Sequence, residues 1–454
     1  MGFLDYFFYN SKPQPQQTDT KAQNAPLIYP VIGNGGVNWL NDNSQSYITN
    51  GYAGNPNVYS IIKLIIDKAS TVPFNLYEVK NQSKLKSYKA LSLNNNLIST
   101  KALTTKEQSL KEVENHPILD ILDCPNPDQS FSDFLKNLLG YKLITGNAYI
   151  YGLSPEIGIN SGKITGLSVL PSQLVSIIGT NQNIDYYHIN GSNLKLSEDQ
   201  VLHIKYWNPD WQNGLQLYGQ SPLKAARKTI DLSNKLYDTQ SSIVANKGAF
   251  GMLYDESQVL DPEQMQQLKD KFQNASPNEI MMVSAKLGWT QFGIPAEDLQ
   301  LIEQQHLTLR DLCNIYQVPS ILLGDDTQKT YSNYEQAEKS LIYNVIVPEL
   351  TAIRDALNKW LLKQYNVSGK QYFIDFDITV LPQLAKDLTE VVAQLSQMWW
   401  ITPNEKRLAT NYGEDTNEPL MNRYFIPQNL VPIDEQSLNI GNNSNLDDYN
   451  STDE

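Results

Sequence analysis

The chain has 454 residues, which at roughly 100–200 residues per domain corresponds to two to four structural units. With 35 Lys+Arg against 49 Asp+Glu its formal charge is −14, which argues against a protein that holds nucleic acid by bulk positive charge. A hydrophobic fraction of 41% excludes global disorder, two cysteines (Cys124 and Cys313) exclude a disulfide scaffold, leaving at most one long-range bridge and favouring a reducing compartment, and no apolar run reaches the roughly 18 residues of a membrane span.

The first eight residues, Met1 to Phe8, have no basic n-region and carry Asp5, a poor match to a signal peptide. Tyr6 stands where myristoylation wants Ser or Thr. Residues 10–50 are rich in Asn, Gln, Pro and Gly and read as an extended arm. Val58, Ile61, Ile62, Ile65, Ile66 and Ala69 then fall on one helical face, and Pro73 stops that helix before a strand at 74–79. Residues 80–114 carry seven Lys against three Glu among many Ser and Asn. Their plain reading is a solvated surface insertion, and their functional one a basic contact loop.

Short helices are expected over 116–122 and 130–143, the second capped by Ser130 and ended near Gly146. Strands follow at 148–151, 166–170, 175–178, 186–189 and 201–205, making this half α+β. Ser221-Pro222 opens a helix that can run to Lys247, about 40 Å at the standard rise, with Gly248 as its stop. A small mixed module occupies 249–295, with a strand near Met252, a helix at 262–273 and strands at 280–283 and 289–292. A second helix covers 296–317. Ser332 and Glu335 form a capping-box pattern that starts another helix, and Pro348 inside it predicts a kink near Asn344. A strand at 372–380 and a helix at 383–399 complete the ordered part. After residue 433 the tail has six acids and no base, and reads as disordered.

No catalytic constellation emerges. His116, His188, His203 and His306 lack metal-ligand spacing, and neither cysteine sits in a C-x-x-C pair. His203 alternates within a strand. Asp375 and Asp377 share a strand face, an arrangement that can bind a hard cation but reads more plainly as a solvated face. Asp325-Asp326 reads as an exposed acidic turn. Catalytic residues, metal and cofactors are therefore all expected to be absent.

An ordered series of short signals is more specific. Asn57-Val58-Tyr59 leads to Val72-Pro73-Phe74, then His116-Pro117 to Pro125-Asn126-Pro127. Gly146-Asn147-Ala148-Tyr149 is followed by Leu170-Pro171 and Val201-Leu202-His203-Ile204. Gly219-Gln220-Ser221-Pro222-Leu223 and Asn246-Lys247-Gly248 follow. Last come Val318-Pro319, Asn333-Tyr334-Glu335-Gln336, Val347-Pro348 and Thr402-Pro403-Asn404-Glu405. In this order and spacing, residues 55–433 resemble the portal, or head-to-tail connector, family of tailed double-stranded DNA phages, in its long-tailed-phage form.

The resemblance implies an α+β, portal-type fold. Its parts would be an α+β wing (55–220), a stem of two helices (221–247 and 297–319) and a small α/β clip (248–296), then a tunnel loop (320–331), a kinked tunnel helix (332–364), a wing strand (365–381) and a helical crown (382–433). The N-terminal arm (1–54), read as partly disordered, the Lys-rich insertion (80–114) and the disordered acidic tail (434–454) depart from the family and take no role from it. The resemblance also implies a ring, usually of twelve copies, at one capsid vertex. Double-stranded DNA would pass through without tight binding, with the large terminase subunit, a head-completion adaptor, and major capsid and scaffolding proteins as partners. No membrane partner would be expected. The location would be the virion, and the host cytoplasm during assembly.

The residues that would face DNA from the tunnel loop are Asp325, Asp326, Thr327, Gln328, Lys329 and Thr330. Lys224, Arg227, Lys228 and Asp231 share one face of the first stem helix and would meet DNA or a neighbouring subunit. Met265, Leu268 and Phe272 form the thin apolar stripe of the clip helix and would meet a neighbouring subunit, the terminase or the adaptor. An acidic wall suits a conduit, since dense Lys and Arg would grip phosphates and stall the duplex. Two other readings stand beside this one: a phage adaptor or minor capsid protein without a channel, and a metal-dependent hydrolase built on Asp375 and Asp377.

Overall fold

The computed structural model describes residues 43–93, 97–155, 157, 161–179, 183–245, 251–255, 263, 266–267, 270, 287–291, 300–325, 330–365, 370–410, 412–413, 415 and 417–425. The chain divides into two compact units. One is Met1–Thr71 with Asp120–Glu349, and the other is Val72–Leu119 with Leu350–Glu454.

The first described element is a short helix, Ser44–Ser46, continuing into a π turn, Tyr47–Tyr52, which corrects the extended reading for the end of the arm; the arm up to residue 42 lies outside the described residues. Helix Pro56–Ala69 starts two residues before the first position of its apolar face, Val58. The Asn55 side chain accepts from the amides of Asn57 and Val58, and proline occupies the first helical position. Its expected face is buried at Val58, Ile61, Ile62, Ile65 and Ala69. Helix Phe131–Thr145 is capped by Ser130 and closed by Gly146 in the left-handed region (φ 78°). Phe134, Leu135, Leu138 and Leu139 on this helix are fully buried.

Two antiparallel three-stranded sheets follow. The first has the order β4-β3-β8, with β3 at Asn147–Leu153, β4 at Gly166–Leu170 and β8 at Val201–Lys205. The second has the order β5-β6-β7, with β5 at Val175–Gly179, β6 at Ile184–Ile189 and β7 at Lys195–Leu196. Tyr149, Leu170, Val175, Ile177, Tyr187, Ile189, Leu196, Val201 and Leu217 form their shared core.

Helix Pro222–Ala245 packs on helix Leu301–Ile315. Leu223, Ala226, Ile230, Ser233 and Leu236 are buried on the first, and Thr308, Leu312 and Cys313 on the second. Between them, β9 (Gly251–Asp255) pairs antiparallel with β10 (Leu287–Gln291), Leu253 opposite Trp289. The expected strand at 280–283 lies outside the described residues. Helix Tyr331–Leu341 is capped by Thr330, whose hydroxyl accepts from Asn333 N–H at 3.2 Å, not by Ser332 as the capping-box pattern suggested. It runs into a π turn, Ile342–Ile346, and then into helix Val347–Trp360. The irregularity predicted near Asn344 is thus a widened turn, formed where Pro348 lacks the N–H that would continue the α-helical ladder.

In the second unit, β1 (Phe74–Val79) lies between β11 (Tyr372–Phe376) and β2 (Leu110–Glu112), all antiparallel, with Phe74 opposite Phe376. Asn358 covers the backbone of β11 at Ile374, donating to its carbonyl and accepting from its N–H, both at 2.8 Å. This shields a strand edge that would otherwise invite pairing. The expectation of a loop at 80–114 is corrected. The segment forms helices Gln82–Leu93 and Thr100–Ser109, packed on each other, and then β2. Its buried side chains mix polar residues (Ser92, Thr100, Ser109) with Tyr88, Leu97, Ile98, Ala102, Leu103 and Leu110, too irregularly spaced to give an apolar period. Helices Ala385–Gln397 and Pro403–Ala409 follow. The second begins in a reciprocal capping box: Thr402 N–H donates to Glu405 Oε2 at 3.0 Å, and Glu405 N–H to Thr402 Oγ1 at 3.3 Å.

Candidate functional site

The two most distinctive sequence signals, Gly146-Asn147-Ala148-Tyr149 and Gly219-Gln220-Ser221-Pro222, interlock at the root of the long helix. Asn147 Nδ2 donates to the carbonyls of Thr145 (3.0 Å) and Gly219 (3.1 Å), while its Oδ1 accepts from Gly219 N–H (2.6 Å) and pairs with His203 Nε2 (3.0 Å). With the amide's donors spent on carbonyls, His203 carries its proton on Nε2. Ser221 Oγ donates to the Ile144 carbonyl at 2.6 Å and accepts from Leu223 N–H at 3.1 Å. From the other long helix, Tyr316 OH donates to the Leu143 carbonyl at 3.0 Å. Both long helices are therefore rooted on consecutive carbonyls of one helix end. A side chain at Gly219 would meet the Gly146 carbonyl oxygen at 2.1 Å, so the close approach requires glycine.

His203 stacks on Tyr149 with ring centroids 4.3 Å apart. Burial, and then the Lys205 charge, lower its pKa from 6.5 to about 3. The folded pKa lies below the unfolded one, so the unfolded chain gains the proton first as pH falls. This contribution to stability is complete above about pH 6.5 and declines toward pH 3, with a limiting slope of about 1.4 kcal/mol per pH unit. Urea denaturation of the wild-type chain and of His203→Phe at pH 7, 6 and 5 is expected to show the wild type losing stability faster by up to that slope.

At the end of helix Leu301–Ile315 a second anchor forms. Arg310 donates from Nε to Asp325 Oδ2 (2.6 Å) and from Nη2 to Oδ1 (2.9 Å), and Ser320 Oγ adds a third bond at 2.8 Å. Asp325 is only 5% exposed, so the exposed acidic turn expected there is corrected: this carboxylate faces inward and fixes the foot of the loop. Beside it, burial and then the Asp325 charge push the Cys313 thiol up to about 12. Cys124 is exposed. Iodoacetamide at pH 8 is therefore expected to modify Cys124 in the native protein and spare Cys313, whose thiolate fraction is on the order of 10⁻⁴.

Just past the π turn, Glu349 accepts from Lys142 Nζ and from Tyr206 OH, each at 2.6 Å. Lys142 also lies over the Tyr206 ring, 4.7 Å from its centroid.

The sequence-derived site residues are partly brought together. Thr330 caps its helix, while Asp326, Thr327, Gln328 and Lys329 lie outside the described residues. Lys224, Arg227 and Asp231 are half-buried and Lys228 is exposed, with Asp231 paired to Lys235 at 2.7 Å. Met265, Leu268 and Phe272 lie outside the described residues. Their helical neighbours Glu263, Gln266, Gln267 and Asp270 are exposed.

The Asp375–Asp377 pair is not a solvated face. Asp375 is fully buried, bonded to Tyr88 OH (2.6 Å) and Arg354 Nη1 (3.2 Å), with Lys106 Nζ at 3.7 Å. Asp377 accepts from Thr379 N–H and Oγ1. With one carboxylate neutralised by cations and the other spent as a cap, the feature that favoured a metal hydrolase is gone. Sequence reading singled out Asn147 and His203 within their motifs without their roles, and missed Arg310, Arg354 and Glu349, because each acts through a partner distant in the chain.

The fold sets long helices on a mixed core, with Asn147, Ser221 and Tyr316 positioning backbone at their root. The phage portal protein family profile matches residues 56–411. A probable portal protein of Streptomyces phage phiC31 is 20% identical over 403 residues, covering 84% of each chain. An uncharacterized protein of Rickettsia bellii is 27% identical over 319 residues, covering 66% of this chain and 79% of its own. Among solved structures, the neck of a native gene transfer agent particle, computed with C12 symmetry, superposes with a TM-score of 0.57 at 22% identity. It covers 83% of this chain and 96% of that one. The chain belongs to the phage portal protein family, whose members are non-enzymatic structural components of the phage head.

Proposed function

We propose that the protein forms a ring-shaped channel at one vertex of a phage capsid. Double-stranded DNA is packaged through it by the terminase and later ejected, and head-completion and tail proteins attach to it. The observation that carries this reading is the pair of long helices, Pro222–Ala245 and Leu301–Ile315, rooted side by side and bracketing a small module, in a chain matched by the portal family over most of its length. The C12 symmetry of the similar neck supports a ring of twelve. In this reading the helices are the stem, the bracketed module is the clip that meets the terminase and later the adaptor, and residues 320–331 are the tunnel loop. Helix 332–364, with its π turn, lines the tunnel, 55–220 with 365–381 is the wing, and 382–433 is the crown. Asp325 anchors the loop, which leaves Asp326 to Lys329 to face DNA. The net charge of −14 per copy keeps the duplex from sticking to the wall. Major capsid and scaffolding proteins are the remaining partners, with assembly in the host cytoplasm and residence in the virion.

Native mass measurement with negative-stain images of the same sample tests the proposal. The expected result is a ring of about a dozen 51.4 kDa subunits with a central hole. A particle without a hole, even when co-produced with capsid and scaffolding proteins, would overturn it and favour an adaptor without a channel.

A further inference from the structure

Four Asn-Gly pairs occur in the sequence, at Asn34, Asn50, Asn190 and Asn213. Asn34 lies outside the described residues. Asn50 sits inside the π turn Tyr47–Tyr52, where its Nδ2 donates to Ser46 Oγ at 3.2 Å and Gly51 is buried. Asn213 lies within a 3₁₀ helix, Gln212–Leu217. Asn190-Gly191 differs from both: it forms an exposed turn between β6 and β7.

The surroundings of Asn190 are specific. Ser192 N–H donates to the Ile189 carbonyl at 3.1 Å, closing the turn, and Asn190 N–H donates to the Leu174 carbonyl at 2.7 Å. Ser176 on β5 is the register partner of His188 on β6, and both reach the Asn190 side chain from the same face of the sheet. Ser176 Oγ donates to Asn190 Oδ1 at 3.0 Å. His188 Nδ1 stands 3.3 Å from the same oxygen and donates to it when it carries the proton. Gly191 has a φ of 89°, and a side chain there would meet nothing within 4 Å. Its N–H makes no hydrogen bond among the described residues.

We propose that Asn190 is a self-modification site, converting through a succinimide to aspartate and isoaspartate with Ser176 and His188 assisting. The Gly191 nitrogen gives its proton to solvent and bonds to Asn190 Cγ. This closes a five-membered ring between groups that are already covalently joined. Negative charge develops on Oδ1, where the two donors already point. The Cγ–Nδ2 bond then breaks, and the nitrogen takes one proton from solvent and leaves as ammonia. Water opens the ring at either carbonyl. One water is consumed, one ammonia is released, and nothing is oxidised or reduced. Glycine suits the second position because no side chain crowds the attacking nitrogen.

The product carries a new carboxylate beside His188 and its register partner Lys195. The isoaspartate form also adds one backbone carbon to the turn that sets the pairing of β6 with β7. Leu196 on β7 belongs to the sheet core, so the longer turn loosens that strand.

The test holds the full-length protein at pH 7.4 and 37 °C for several days. Peptide mass spectrometry then follows the mass gain of amide to acid, and isoaspartate, at Asn50, Asn190 and Asn213. Asn190 is expected to convert first. Ser176→Ala and His188→Phe are each expected to slow it about threefold, short of the effect of a buried oxyanion donor because both groups are half-exposed. Ser176→Thr keeps the hydroxyl and is expected to keep the rate, and Gly191→Ala is expected to slow conversion more than either donor variant. In urea, wild type and Ser176→Ala are expected to convert equally, since the donor is then gone from both. Conversion at Asn190 no faster than at Asn50 would overturn the proposal. So would an unchanged native rate in Ser176→Ala, or a slowing that persists in urea.

Discussion

Replacing Asp375 with alanine is expected to destabilise the second compact unit by about 3–5 kcal/mol, the usual cost of leaving a buried partner charge uncompensated. Arg354, 1% exposed, would keep Asp355, itself half-exposed, Ser92 Oγ at 2.8 Å and the rings of Phe373 and Phe376, but no buried carboxylate. Lys106 would lose its carboxylate, and the Tyr88 hydroxyl would lose its acceptor. Burial, and then the Asp375 charge, raise the Tyr88 pKa well above its ordinary value, so the phenol remains the donor across the accessible pH range. Asp375→Asn keeps an acceptor for Tyr88 and is expected to cost less than the alanine variant. Urea denaturation followed by circular dichroism measures both. A loss under about 1 kcal/mol for the alanine variant would mean that the cations escape to water, contrary to the burial described.

Gly219→Ala is expected to cost about 3 kcal/mol or more, because the added methyl would lie 2.1 Å from the Gly146 carbonyl oxygen and 2.9 Å from Lys205 Cβ and the Tyr206 nitrogen. None of these is the far end of a flexible side chain, so backbone must move. Gly146→Ala meets the Gln220 carbonyl oxygen at 2.4 Å and adds roughly 1–2 kcal/mol for its left-handed φ. Gly191→Ala is the control. Its φ is 89° with nothing within 4 Å, so it should cost only that conformational strain, about 1 kcal/mol. Melting temperature and the yield of assembled particles are the readouts. Equal effects at Gly219 and Gly191 would show that the interlock of the two motifs is not tight.

The sequence was legible where one chemical signal sufficed. The stripe of Val58, Ile61, Ile62, Ile65 and Ala69, the Ser130 cap, the Gly146 stop and the Ser221-Pro222 start each report on their own neighbourhood, and each stands where its residues placed it. The Lys-rich segment was misread because its two helices bury a mixture, Tyr88 and Ser92 on one and Thr100, Ala102, Leu103 and Ser109 on the other, beside a charged cluster. Their inner face lacks the apolar repeat that marks a helix from sequence. Asp375 and Asp325 were read as solvated for a related reason: carboxylates are rarely buried unpaired, and their partners Arg354 and Arg310 are 21 and 15 residues away. The Gly-Asn-Ala-Tyr and Gly-x-Ser-Pro signals were conspicuous singly, but that they touch could be seen only in three dimensions.

The adjacent footings of the two long helices have a mechanical consequence. Ser221 grips the carbonyl of Ile144 and Tyr316 that of Leu143, points one residue apart, or about 1.5 Å of helical rise. Sliding one long helix lengthwise past the other would pull one grip while slackening its neighbour, so shear is resisted at the base. Tilting the two together is resisted as well, because further along helix Pro222–Ala245 Asn234 Oδ1 accepts from Asn55 Nδ2 at 2.8 Å and the Tyr237 hydroxyl donates to Asn57 Oδ1 at 3.4 Å. The pair is thus braced at two levels, at the end of helix Phe131–Thr145 and at the start of helix Pro56–Ala69.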